Sequence, residues 1–103
     1  MTDLEEEEMR IQNERKKRDL EQRDLEQREK DDIKFVMDSE QGRRVVWGLL
    51  EKGQVFGTCF NVDPNITAFN EGQRNLALVL LQRVMAHCPD QYLKMAAEAS
   101  EQE

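Results

Sequence analysis

At 103 residues, with 36% charged against 38% hydrophobic and a mean hydropathy of -0.84, the chain has length for about one domain and too little apolar material to bury all of it. Twenty-two acids against 15 bases leave a net charge of -7, so the averaged surface repels phosphate backbones and autonomous nucleic-acid binding is not expected. No stretch approaches the roughly 18 apolar residues of a membrane span, and Glu5 to Glu8 stand where a secretory signal would be basic and then apolar, so a soluble protein made in a cytosol is expected.

The composition changes near residue 33, which divides the chain into a charged arm, 1–32, and a small helical domain, 33–103. From Met1 to Lys34 there are 13 acids and 9 bases and neither Pro nor Gly, which leaves helix as the regular structure open to it. Acid-to-base pairs four residues apart run Glu6 to Arg10, Glu14 to Arg18, Asp19 to Arg23, Asp24 to Arg28 and Glu26 to Lys30, and acids crowd the positive end of the helix dipole. Leu4 and Ile11 are a heptad apart, but the next such position is Arg18, so no coiled-coil seam is sustained. The repeat Arg18-Asp19-Leu20-Glu21-Gln22, Arg23-Asp24-Leu25-Glu26-Gln27 has a period of five, which is not a solenoid length. Such an arm is either a solvated helix or one that lies along a neighbouring subunit, with Leu20 and Leu25 as its candidate contacts.

The domain then reads as about three helices. Asp38 with Gln41 at N3 predicts a capping box, and Gly53 a stop, which brackets a helix over about 39–52 with Val45, Val46, Leu49 and Leu50 facing inward. Trp47 falls off that stripe and either wraps the core edge or serves a partner. The stretch from Gly53 to Pro64 predicts a packed loop carrying Val55, Phe56, Cys59 and Phe60. Asn70 with Gln73 predicts the cap of a central helix that is apolar all round from Leu76 to Leu81, more than a domain of about 70 residues can cover, which points to oligomerisation or docking. Pro89 ends that helix and opens a last one to about residue 99, packing through Tyr92, Leu93, Met95 and Ala96. The expected core gathers Leu49, Leu50, Leu78, Leu81 and Val84.

Chemistry-bearing residues are sparse. His87 beside Cys88, with Cys59 elsewhere, lacks paired metal-ligand spacing, and neighbouring helical side chains diverge by about 100°, so no metal site is expected. Asp63 and Glu71 are carboxylates without an acyl, phosphate or sugar motif around them, so neither an enzyme nor a cofactor is expected, and both cysteines read as free thiols. Glu40-Gln41-Gly42-Arg43-Arg44 and Asn70-Glu71-Gly72-Gln73-Arg74 each set an acid, a Gly and an Arg at a predicted helix start. Close backbone approach would account for the glycines. Arg43, Arg44 and Arg74 pair with acids inside the domain or reach a partner's carboxylates.

Phe35-Val36, the run from Gln41 to Leu50 around Trp47-Gly48, the run Phe69-Asn70-Glu71-Gly72-Gln73-Arg74 with Asn75 to Leu78, and Tyr92 to Glu98 together resemble the Bordetella phage small virion protein family, small proteins of short-tailed, podovirus-type phages encoded among head and tail morphogenesis genes. The resemblance covers roughly residues 33 to 99 and carries no catalytic residues. It implies a virion component associated with the portal, the tail adaptor or the ejected internal proteins. The expectation is therefore an all-α protein, a long charged helix followed by a small helical domain, made in the host cytoplasm and working in the virion as a homo-oligomer with portal or tail proteins as partners. The rival reading is an acidic phage regulator that binds a host protein, against which the interleaved arginines of the arm count.

Overall fold

The computed structural model describes residues 2–102 and is all-helical there: α1 (Asp3–Met37), α2 (Glu40–Lys52), α3 (Pro64–His87) and α4 (Pro89–Glu101). The chain divides into two compact units between Asp31 and Asp32. In the first unit, α1 opens on a capping box in which the Glu5 N–H donates to Thr2 Oγ1 at 3.2 Å and the Thr2 N–H to Glu5 Oε2 at 3.3 Å. Leu4, Met9, Ile11, Leu20 and Leu25 are all exposed. The five expected acid-to-base pairs do not close to ion-pair distance. Side-chain contacts along this helix include amide to carboxylate pairs, Gln22 to Glu26 at 3.3 Å and Gln27 to Asp31 at 2.9 Å. Exposed ion pairs recover little of the entropy of fixing two long side chains, so the open arrangement costs the helix almost nothing.

The second unit holds the last turns of α1 with α2, α3 and α4, and the last three pack against one another. Met37, Leu50, Val84 and Met95 are its most completely buried side chains, joined by Val46, Val55, Ala77 and Cys88. Leu78, Leu80 and Leu81 pack on this core from partly buried positions, as do Ile33, Trp47 and Tyr92. Of the expected core, Leu49 is out of place: it is 50% exposed, and Val45, Leu76 and Leu93 are exposed as well.

Two helix starts also differ from expectation. The N-cap of α2 is Ser39 rather than Asp38, its hydroxyl accepting from the Gly42 N–H at 2.9 Å. The central helix begins six residues before Asn70, at Pro64, whose fixed φ suits N1, with the Asp63 carboxylate accepting from the Asn65 N–H at 2.8 Å. Asn70 serves the loop instead, donating to the Cys59 carbonyl at 3.2 Å, while the Thr67 hydroxyl donates to the Asn61 carbonyl and accepts from its N–H, both at 2.8 Å. These bonds stitch the loop onto the first turns of α3.

The exit from α2 explains two residues. The Val55 N–H reaches back to the Leu50 carbonyl at 3.2 Å and the Gln54 N–H to Glu51 at 2.9 Å, the paired bonds of a Schellman motif. That motif asks for a left-handed residue, and Gln54 supplies it at φ 54°. Glycine would be easier there, but Gly53 is needed one step earlier, where a Cβ would collide with the Ala77 Cβ of α3. Gly42 has a similar reason, since a Cβ there would run into the Val36 carbonyl, whereas Gly72 has open space around it. Close approach therefore accounts for the first of the two Gly-Arg helix starts and not for the second.

Candidate interaction surface

Arg43 is the most committed polar side chain of the domain. It projects from the first turns of α2 and is 5% exposed. Its Nη1 donates to the Met37 carbonyl at 2.9 Å, one of the carbonyls that the end of α1 leaves without a helical partner. Its Nε donates to Glu98 Oε1 on α4 at 2.6 Å. One planar fork thus ties the end of α1, the start of α2 and the last helix together. Of the two roles open to Arg43 in the sequence, the structure gives it the pairing inside the domain.

The other candidates fall in different places. Arg44 stays on the surface, 3.6 Å from Glu40 four residues earlier. The partly buried Arg74 has its Nε sequestered without a hydrogen-bond acceptor, and Gln91 Oε1 is buried without a donor. Trp47 stacks on Phe56 with ring centroids 5.3 Å apart and planes 25° from parallel, so it wraps the core edge and pins the loop that follows α2. Arg43, Arg44 and Trp47 border one small cleft with Met95 and Glu98, about 30 Å³ in volume, which is room for little more than a water. Arg74 is not among its lining, and Leu20 and Leu25 belong to the other unit.

A larger feature was only half visible in the sequence, whose apolar run from Leu76 to Leu81 pointed to an uncovered surface without locating it. Leu76, Val79, Leu80 and Arg83 share one face of α3, at the i, i+3, i+4 and i+7 positions, and Leu49 with Lys52 lines the opposite wall on α2. Between them runs an apolar groove of about 430 Å³ whose floor is the Gly53–Ala77 contact. Its two walls carry one cation each, Lys52 and Arg83, and no carboxylate. The signal was present as a second stripe: Ala77, Leu81 and Val84 form the face of α3 that turns to the core, and the groove face lies about 100° away from it. Other apolar side chains stand in solvent around the loop, with Phe60 at 74%, Val62 at 91% and Phe69 at 64% exposure.

The two cysteines are free, and burial pushes the Cys88 thiol above the ordinary thiol range, with Lys34 opposing and Asp38 reinforcing the shift. A thiol held protonated is a packing group, not a nucleophile. Among the described residues no helix is long and apolar enough to cross a membrane.

Comparison with curated proteins and with solved structures returns no match. A family model does match, that of the Bbp19-like phage protein, over residues 33–97. The matched stretch includes Arg43, Trp47, the stitched loop and both walls of the groove, and it covers more than half of the chain. The protein belongs to the Bbp19-like phage protein family.

Proposed function

We propose that this phage protein is a non-enzymatic structural component of the particle, working by multimeric assembly at the head-to-tail vertex with portal or tail proteins as neighbours. One observation carries the reading: the helical domain leaves a continuous apolar face uncovered, from Leu49 on α2 to Leu76 and Val79 on α3, although it is too small to conceal it alone. Membership in a phage protein family supports it. So does the use of the most buried cation, Arg43, as an internal cross-link. Host-cell synthesis followed by incorporation into the virion is the life history this implies.

Mass spectrometry of purified particles tests the proposal, with copy number per particle as the readout. Stoichiometric recovery, in a multiple that fits a ring, is the expected result. Recovery only from the infected-cell lysate, bound to a host protein, would replace the structural role with that of a regulator.

A further inference from the structure

We infer that the open face of α3 pairs with the same face of a second copy of the chain, the two helices running antiparallel about a twofold axis. The inference rests on the assembly reading above and names the surface through which two copies join. Asn65, Phe69, Gly72, Leu76, Val79 and Arg83 follow one another at alternating steps of four and three, the spacing of the seam of a paired helix, and all six are exposed. Phe69, Leu76 and Val79 are 64%, 75% and 43% exposed. Glu71 and Arg74 fall off this line, which leaves Arg83 near one end as its charged member, and the centre of a protein contact is depleted of charge in the same way. Gly72 is the second observation. It stands inside a helix, where glycine weakens the structure, and a Cβ there would meet open space, so nothing in its own chain accounts for it. A hollow on an exposed apolar line, between Phe69 and Leu76, is where a second helix can come close.

The order of sizes along the line decides how the copies lie. Turned antiparallel about a point level with Arg74, each Leu76 enters the hollow at the partner's Gly72, and each Phe69 meets the partner's Val79, so large side chains face small ones throughout. A parallel pair would set Gly72 on Gly72 and Leu76 on Leu76, a void beside a crowded layer, and would bring the two Arg83 side chains together. The antiparallel pair parts them by about 27 Å along the helices, well beyond the screening length in physiological salt. Over its 24 residues α3 is about 36 Å long, and with the α2 wall alongside the contact covers about 500 Å² of each copy, or about 1,000 Å² in all, where specific interfaces begin. A twofold contact closes on itself, so it makes a pair, and growth into a larger array falls to other surfaces.

The test is molar mass against concentration, by light scattering on the full chain and its variants, at low and raised salt. Leu76→Asp puts a charge on the apolar line at a position exposed enough to accept one in the free chain. Gly72→Gln fills the hollow with a better helix former. The thermal midpoint followed at Trp47 reports whether each variant is folded. The expected mass climbs from 12.1 kDa toward twice that value and does not fall back in raised salt, because two chains of net charge -7 repel and screening relieves the repulsion. Either variant should weaken association about tenfold or more, with the midpoint of Gly72→Gln unlowered, while Leu20→Asp on α1 leaves association unchanged. On a Cys59→Ser background, oxidation should cross-link chains carrying Phe69→Cys to chains carrying Val79→Cys, and neither kind to itself. Self-cross-linking of the Phe69→Cys chains would overturn the antiparallel order, and association that Gly72→Gln leaves intact would overturn the surface. Association that is lost as salt rises would replace the second copy's α3 with a surface of opposite charge. A mass that stays at 12.1 kDa up to about 1 mM would overturn the inference while leaving the assembly reading to the particle composition.

Discussion

Arg43→Ala is the sharpest test of how the domain is held. The substitution removes a guanidinium whose side chain is 7% exposed from a carboxylate that is 23% exposed, and it strips the donor from a main-chain carbonyl at the end of α1. Leaving the Met37 carbonyl without a partner costs about 1 to 3 kcal/mol. Orphaning Glu98 would cost about 3 to 5 kcal/mol if it were fully buried, but water reaches it, so about half of that applies. The combined loss is about 2.5 to 5.5 kcal/mol. A domain of about 70 residues has about 4 to 10 kcal/mol in total, so the variant should lose about a quarter or more of its stability and about 10 °C or more of melting temperature. Trp47 is the single tryptophan and stacks within this domain, so its fluorescence in a urea titration reports the domain without signal from the helical arm.

The double variant Arg43→Met, Glu98→Met sharpens the measurement. If the cost of the single change comes from stranding a carboxylate, replacing both partners with apolar side chains of similar length should recover about half or more of it, leaving the Met37 carbonyl as the residual. A single variant within about 0.5 kcal/mol of the unaltered chain would refute the reasoning. In that case the guanidinium would be idle in the domain and would return to the set of side chains open to a partner.

Leu50→Ala should destabilise the domain by about 2 to 5 kcal/mol, whereas Leu49→Ala, on the half-exposed groove wall, should cost under about 1 kcal/mol; similar midpoint shifts for the two would show that the inner face of α2 is misassigned. Gly53→Ala should cost about 1 to 3 kcal/mol through its collision with Ala77, while Gly72→Ala, with nothing near it in the helix, should stabilise by about 0.5 to 1 kcal/mol; the opposite order in thermal melts would refute the packing. Gln54→Gly should stabilise by about 0.5 to 1 kcal/mol by relieving the left-handed backbone, and Gln54→Val should destabilise. Cys88 should alkylate far more slowly than Cys59 near neutral pH; because burial raises its pKa, its thiolate forms only at higher pH, and the gap in rate should narrow as the pH climbs past the ordinary thiol range, a trend that mass-resolved labelling would detect.

What the sequence revealed and what it hid follow from the range of the forces involved. Helix type and order were legible because composition and punctuation are local: no Gly or Pro in the arm, a stop at Gly53, Pro89 at the head of α4. The helix starts were harder to place because several side chains compete for each cap. Ser39 and Asp38 are both good N-caps, and the winner is the one whose oxygen meets the N3 amide once Gly42 lies against Val36. Asp63 followed by Pro64 is as strong a start as Asn70, and it prevails because Asn70 and Thr67 gain more by holding the loop. Such outcomes depend on contacts between residues distant in sequence, which no local pattern contains.

The surface was half legible for a related reason. A helix that is apolar all round signals burial on more than one side only if something exists to bury each side. In α3 the apolar residues sort into two stripes about 100° apart, and the domain has helices enough to cover only the one running through Ala77, Leu81 and Val84. Averaged hydrophobicity merges the stripes, and only the position of α2 separates them. The same geometry sorts the arginines: Arg43 lies one residue from Arg44, yet the turn of the helix sends the first inward to Glu98 and Met37 and leaves the second in water beside Glu40. Charge that is spent inside the domain cannot recognise a partner. Lys52 and Arg83 stand one on each wall of the apolar groove, so what the domain leaves uncovered is an apolar face edged by cations and lined by no carboxylate.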